Sequence, residues 1–251
     1  MEFLLKLKEI ERKEKVREEE SISKIIIDNT QHDFTIFFED DKPKHENDFI
    51  ESCYVKIGNV FKTIKISKEN NQIINISELI NQWENLKKDI VFNVENEMLV
   101  NYILNISKYF ENYESLEFLL KNFSIIPFFR LIDFKNFKNN TDEKVLEIYS
   151  IVPDGKFDYK IKLNYLEELT GEREITFKGG KTPNFDMVAI KNLFRQKYNI
   201  TKDKLFNLDT NIKGNYILED DFIKEMNICL TIDGGKYFVK EYVISMIRVW
   251  K

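Results

Sequence analysis

Two cysteines, two histidines, two tryptophans, four prolines and eight glycines among 251 residues leave this chain without several common kinds of equipment. Two cysteines, Cys53 and Cys229, exclude a disulfide-stapled scaffold and predict unpaired thiols in a reducing compartment. So few histidines exclude most imidazole-based catalysis and metal ligation, and the scarcity of arginine leaves no clamp for phosphate. No apolar run is long and clean enough to cross a membrane. The densest, Ser115 to Phe134, is interrupted by Glu117, Lys121, Arg130 and Asp133, and a charge at mid-bilayer costs roughly 2.5–3.5 kcal/mol. The start, MEFLLKLKEIERK, places acids and lysines where a signal peptide needs an apolar core, so a cytoplasmic location is expected. Lys plus Arg of 38 against Asp plus Glu of 43 gives −5, which predicts no general binding of nucleic acid or anionic membrane and leaves room only for a local basic groove. A single alanine, Ala189, beside abundant Lys, Asn and Ile is the bias of AT-rich codons and suggests an AT-rich bacterium or one of its mobile elements.

What is present is aromatic. Phe, Tyr and Trp make up 14% of the chain, 21 of them Phe, which excludes global disorder. A chain this long removes roughly 70–75% of its unfolded surface from water. The run 115–134 anchors the reading: Ser115 can cap a helix whose Leu116, Leu119, Leu120 and Phe123 share a face. Pro127 stops it, so Ile125 to Phe134 is expected as a bent continuation or a buried strand. The run is core by composition. Its Phe128, Phe129 and Arg130 also have the aromatic and guanidinium character of a partner-binding cluster.

In chain order, residues 3–20 read as a charged helix with Glu9–Lys13 and Glu11–Lys15 at i, i+4. From Ser23 the period becomes that of strands, in KIIID, DFTIFFED and SCYVKIGNVFKTIKIS, with an acidic loop holding Glu39, Asp40 and Asp41 between the second and third. A helix from Ser77, a short strand at 90–94 and a helix over 95–110 follow. The polar tract after Phe134 reads as a linker. Beyond it the pattern predicts strands at 145–152, 159–166, 173–177, 227–232 and 237–250, with one helix at 185–198. The fold class is α+β: antiparallel sheet plus helices over 1–138 and a β-rich domain with one helix over 142–251.

No motif is complete. Lys178 to Thr182, KGGKT, has the end of a phosphate-binding loop but Ile175 where its first glycine belongs, and Pro183 follows at once. His32 and His45 among Asp33, Glu46 and Asp48 match no ligand spacing, so neither a metal site nor a cofactor is assigned. Asp154 with Asp158-Tyr159-Lys160 imitates the acid and acid-x-Lys of metal-dependent nucleases, at a separation too short for two strands. Both cysteines fall in strand patterns, the setting of inert thiols. The expectation is a non-catalytic protein-binding or assembly protein, using Glu39, Asp40, Asp41, Phe128, Phe129 and Arg130 to meet another protein or itself. A metal-dependent nuclease or other phosphate-ester hydrolase is the alternative.

Overall fold

The computed structural model of the chain describes residues 1–13, 16–29, 33–38, 49–67, 69, 72–91, 97–122, 125–132, 141–148, 156–167, 173–201, 206–219 and 222–249. In order, these form β1 (Glu2–Arg12), β2 (Val16–Asn29), β3 (Asp33–Phe38), α1 (Phe49–Val60), β4 (Thr63–Ser67), α2 (Ile76–Val91), α3 (Glu97–Phe110), α4 (Tyr113–Lys121) and α5 (Ile126–Phe129). Then come β5 (Thr141–Ile148), β6 (Phe157–Glu167), β7 (Arg173–Lys181), α6 (Met187–Tyr198), β8 (Asp209–Glu219), β9 (Phe222–Asp233) and β10 (Val239–Arg248). The strands run antiparallel in the order β4-β3-β2-β1-β10-β9-β8-β7-β6-β5, and the fold is α+β, as the sequence pattern predicts.

The chain divides into two compact units, Met1–Glu2 with Ser23–Phe123, and Phe3–Ile22 with Ser124–Lys251. Residues Phe3–Ile22 therefore group with the second half of the chain. The polar tract read as a linker, 133–140, lies outside the described residues.

In the first unit helix α1 occupies the start of the SCYVKIGNVFKTIKIS run, where the sequence pattern predicts a strand. Cys53, Ile57 and Val60 are buried at i, i+4 and i+7, one face of α1, whereas Ile64 and Ile66 alternate on β4. Residues Ile90 and Val91 end α2 instead of opening a strand. The unit's core takes Ile25, Ile27, Ile36, Ile64 and Ile66 from strands and Leu79, Leu99, Ile103 and Leu116 from helices, with Trp83 stacked 4.8 Å from Phe110. Helix α4 is capped by Asn112, whose Oδ1 accepts from the Ser115 amide at 2.7 Å, so Ser115 is the donor of that cap and not the cap itself.

The second unit corrects the N-terminal helix. Phe3 and Leu5 are buried while Leu4 and Lys6 are exposed, a two-residue period, and β1 pairs with β10 from Phe3↔Arg248 to Arg12↔Val239. Of the residues that suggested i, i+4 pairs, Glu9 and Glu11 instead face Lys240 of β10, and the neighbouring Lys6 and Lys8 form ion pairs with Glu20 and Glu18 of β2, each at 2.8 Å. Long-range pairing overrides the helix propensity of Glu and Lys. Strand β8 is unforeseen in the sequence because Asn211, Gly214 and Asn215 mask its alternation of buried Thr210, Ile212, Tyr216 and Leu218. One face of β1 and β10 to β5 is apolar. Helix α5 is fastened to it by the Tyr216 hydroxyl, which donates to the Phe128 carbonyl at 3.0 Å. Pro127 sits in the first turn of α5, where its missing amide proton has no intrahelical role, so this segment is a short helix and not a strand.

Candidate functional site

On the apolar face of the second unit, register builds a floor. Leu7 pairs with Ile244 and Ile244 with Ile228, while in the next row Glu9 pairs with Tyr242 and Tyr242 with Leu230. These side chains, with Phe128 from α5 and Ile148 from β5, line a cavity of about 430 Å³. Strands β1 and β5 stand at opposite ends of the order β1-β10-β9-β8-β7-β6-β5, so a cavity that both line means the sheet is curled. Exposed Glu19, Glu20 and Ser21 of β2 form its rim.

Beneath the polar end lies a buried charge. Lys240 is 1% exposed, and its Nζ donates to Glu9 Oε1, lies 3.4 Å from a Glu11 carboxylate oxygen and donates to the Tyr242 hydroxyl at 3.3 Å. Burial opposes its charge, but the hydrogen bond to Glu9 and the oxygens of Tyr242 and Tyr198 prevail and hold the ammonium above the ordinary lysine range. Burial likewise raises the Tyr242 and Tyr198 phenols. Lys197 moves the other way, because burial and the like charge of Lys240 disfavour its ammonium. The arrangement offers an apolar slot whose polar lining residues Glu9 and Tyr242 are both bonded to Lys240.

Of the residues expected to meet a partner, Phe128 and Phe129 are 3% and 2% exposed within α5, and Arg130 follows them half-buried. Phe128 lines the cavity. Glu39, Asp40 and Asp41 lie outside the described residues, as do His32, His45 and Asp154. Sequence reasoning missed Glu9, Lys240 and Tyr242. The available signal was Lys240 in a strand apolar on both faces, since a lysine at a buried register needs a carboxylate near it.

A second, polar pocket of about 600 Å³ collects fragments of the incomplete motifs. Asp158 faces Glu147 across β5 and β6, and Lys156 Nζ bridges them at 3.2 and 2.8 Å. Lys160 is held by Glu143 at 2.7 Å. Lys178 to Lys181 are part of β7, and Lys181 is 2.8 Å from Asp209, so the KGGKT residues form a strand end before Thr182 and not a phosphate cradle. Among the described residues no three His, Cys, Asp or Glu side chains are grouped to hold a metal ion, and no helix is long and apolar enough to cross a membrane. Cys53 and Cys229 are free, Cys53 inside helix α1 and not a strand, its thiol pushed up by burial.

Fold and cavity together define an α+β protein whose second unit is a curled antiparallel sheet with an apolar slot. No protein-family model matches the chain, and no curated protein or solved structure does either.

Proposed function

We propose that the chain is a non-catalytic binding protein whose second unit takes an elongated, mainly apolar small molecule into the slot above Ile228 and Leu230. The observation that carries this reading is the cavity itself: about 430 Å³ falls within the range of small-molecule sites, and its floor is aliphatic and aromatic apart from Glu9. The polar groups beside it are engaged with Lys240, which suits orientation of a ligand better than turnover. Displacement of an apolar fluorescent probe tests it. Ile244→Trp, at a half-buried position of the lining, should weaken probe binding about tenfold with little change in melting temperature, a loss of roughly 1.4 kcal/mol. Equal binding by the variant, or hydrolysis of a phosphodiester by the purified protein, would overturn the reading.

A protein interface is favoured by a separate observation in the first unit. Helices α3 and α4 expose Tyr102, Leu104, Tyr109 and Phe118, Leu104 by 54%, and large apolar side chains in water are the material of association surfaces. Leu104→Glu should then shift a complex or self-associated species to a smaller mass, and charge reversal at Glu39, Asp40 and Asp41 tests the acidic loop for the same role. A wild-type chain that sediments as a monomer and captures no partner from its host would remove this second reading.

A further inference from the structure

The reverse face of the second unit's sheet carries a row of lysines. Lys162 of β6 pairs with Lys178 of β7, and Lys178 with Lys213 of β8, so three exposed ammonium groups stand directly opposite one another on consecutive strands. Like charges so placed destabilise a sheet. Every other lysine on β1 and β5 to β10 lies within 4.0 Å of a carboxylate, among them Lys6 on Glu20, Lys8 on Glu18, Lys160 on Glu143 and Lys181 on Asp209. Glu143, opposite Lys162, is the one held by Lys160. Glu143 is thus shared between Lys160, which it binds, and Lys162, which it meets only at longer range, and among the described residues no carboxylate lies within 4.0 Å of any lysine in the row.

Beside it runs a second row, uncharged: Asn164 pairs with Thr176, Thr176 with Asn215 and Asn215 with Asn227. The nearest carboxylates beyond, Glu174 and Glu225, accept from the Asn215 and Asn227 amides at 3.2 and 2.6 Å. Strands about 4.8 Å apart place the three ammonium groups along a line of roughly 10 Å. Ammonium groups flanked by amides and a hydroxyl are the donor set that phosphate and sugar oxygens take from proteins. An acidic peptide would meet a sheet most readily at an edge, through backbone pairing, and here the row is mid-face with its ladder already complete. No aromatic side chain stands in either row, so bases would not be stacked or read.

We infer that this face docks the phosphodiester backbone of nucleic acid, without sequence preference, along Lys162, Lys178 and Lys213. The site is a local exception to a chain of net charge −5, and it is independent of the apolar slot on the other face.

The test is fluorescence anisotropy of a labelled oligothymidylate against the whole chain over a salt series. Three neutralised phosphates give a slope of log affinity on log salt of about −2, or roughly a 20-fold loss between 50 and 200 mM. Lys178→Gln should flatten the slope by about 0.7, and the triple Gln variant should abolish binding while melting no lower than wild type, since a like-charge contact is removed. Cys229, which pairs with Lys213 at the end of the row, should react more slowly with a thiol reagent when oligothymidylate is bound. Absence of binding, unchanged slopes in the variants, an unprotected Cys229, or equal affinity for polyglutamate would each overturn the inference.

Discussion

Lys240 shows what one residue must do to be charged inside a protein. Its carbon stem is enclosed, and Glu9, Glu11 and Tyr242 supply the contacts that water would have made. Lys240→Met would leave two carboxylates without their cation. It should cost about 3 kcal/mol in denaturant unfolding, the low end for breaking a buried pair, because Glu9 keeps 35% of its side-chain surface in water. A variant as stable as wild type would mean that the charge cluster is incidental.

The tyrosines extend the point to pH. Tyr216 and Tyr159 are raised above the ordinary phenol range, chiefly by burial. A group whose folded value is raised keeps its proton longer in the folded state. Its stabilising effect is complete below the unfolded value near 10 and is lost as pH climbs above that. Unfolding free energy should fall from about pH 10 upward by up to 1.4 kcal/mol per pH unit for each of these two groups. Phenolate absorbance and loss of near-ultraviolet dichroism should rise together. If all phenols instead titrated near pH 10 in a folded protein, the buried positions would be refuted.

Among elements, β7 and β8 show how a residue type is selected by its neighbours. A Cβ at Gly214 would meet the Asn227 carbonyl oxygen and the Phe177 ring, whereas one at Gly180 would meet open space. Gly214→Ala should therefore cost about 1–3 kcal/mol and Gly180→Ala should stay within roughly 0.5 kcal/mol of wild type, measured by thermal unfolding. Comparable effects at both sites would remove the steric explanation.

Legibility followed the same division. Helices α2, α3 and α6 were readable because their apolar spacing is helical and their flanks are polar. Strands β6, β7 and β9 were readable by alternation. The segment 2–12 was not, since Phe3, Leu7 and Ile10 fit a helical stripe while Phe3, Leu5 and Leu7 fit a strand, and only the distant β10 decides between them. The slot was illegible for a related reason: its floor joins residues more than 200 positions apart, and no local pattern marks Leu7, Ile148 and Ile228 as neighbours. The lysine row was hidden too, because the cross-strand register that aligns Lys162, Lys178 and Lys213 is absent from the sequence.

At the scale of the whole molecule, the ends of the chain belong to one another. With β1 read as a detachable helix, removal of residues 1–20 would leave the melting temperature nearly unchanged. With β1 paired along β10, the same deletion strips a strand that buries Phe3 and Leu5 and removes the Glu9 and Glu11 partners of Lys240. The truncated chain should lose cooperative unfolding of its second unit, seen as a broad, low-temperature transition in calorimetry. A sharp transition at the wild-type temperature would show that β1 is dispensable.

The antiparallel register of β1 and β10 also sets how the protein yields to tension. Phe3 lies opposite Arg248, so a pull applied through the two ends of the chain acts on the same end of one ladder. Load then falls on a single hydrogen-bonded rung at a time and opens the strands like a zipper, where strands drawn lengthwise past each other would share it across every rung. A molecule held at both termini should give way early and progressively, starting at Phe3 and Arg248 and reaching the Lys240 cluster only after the first rungs have parted.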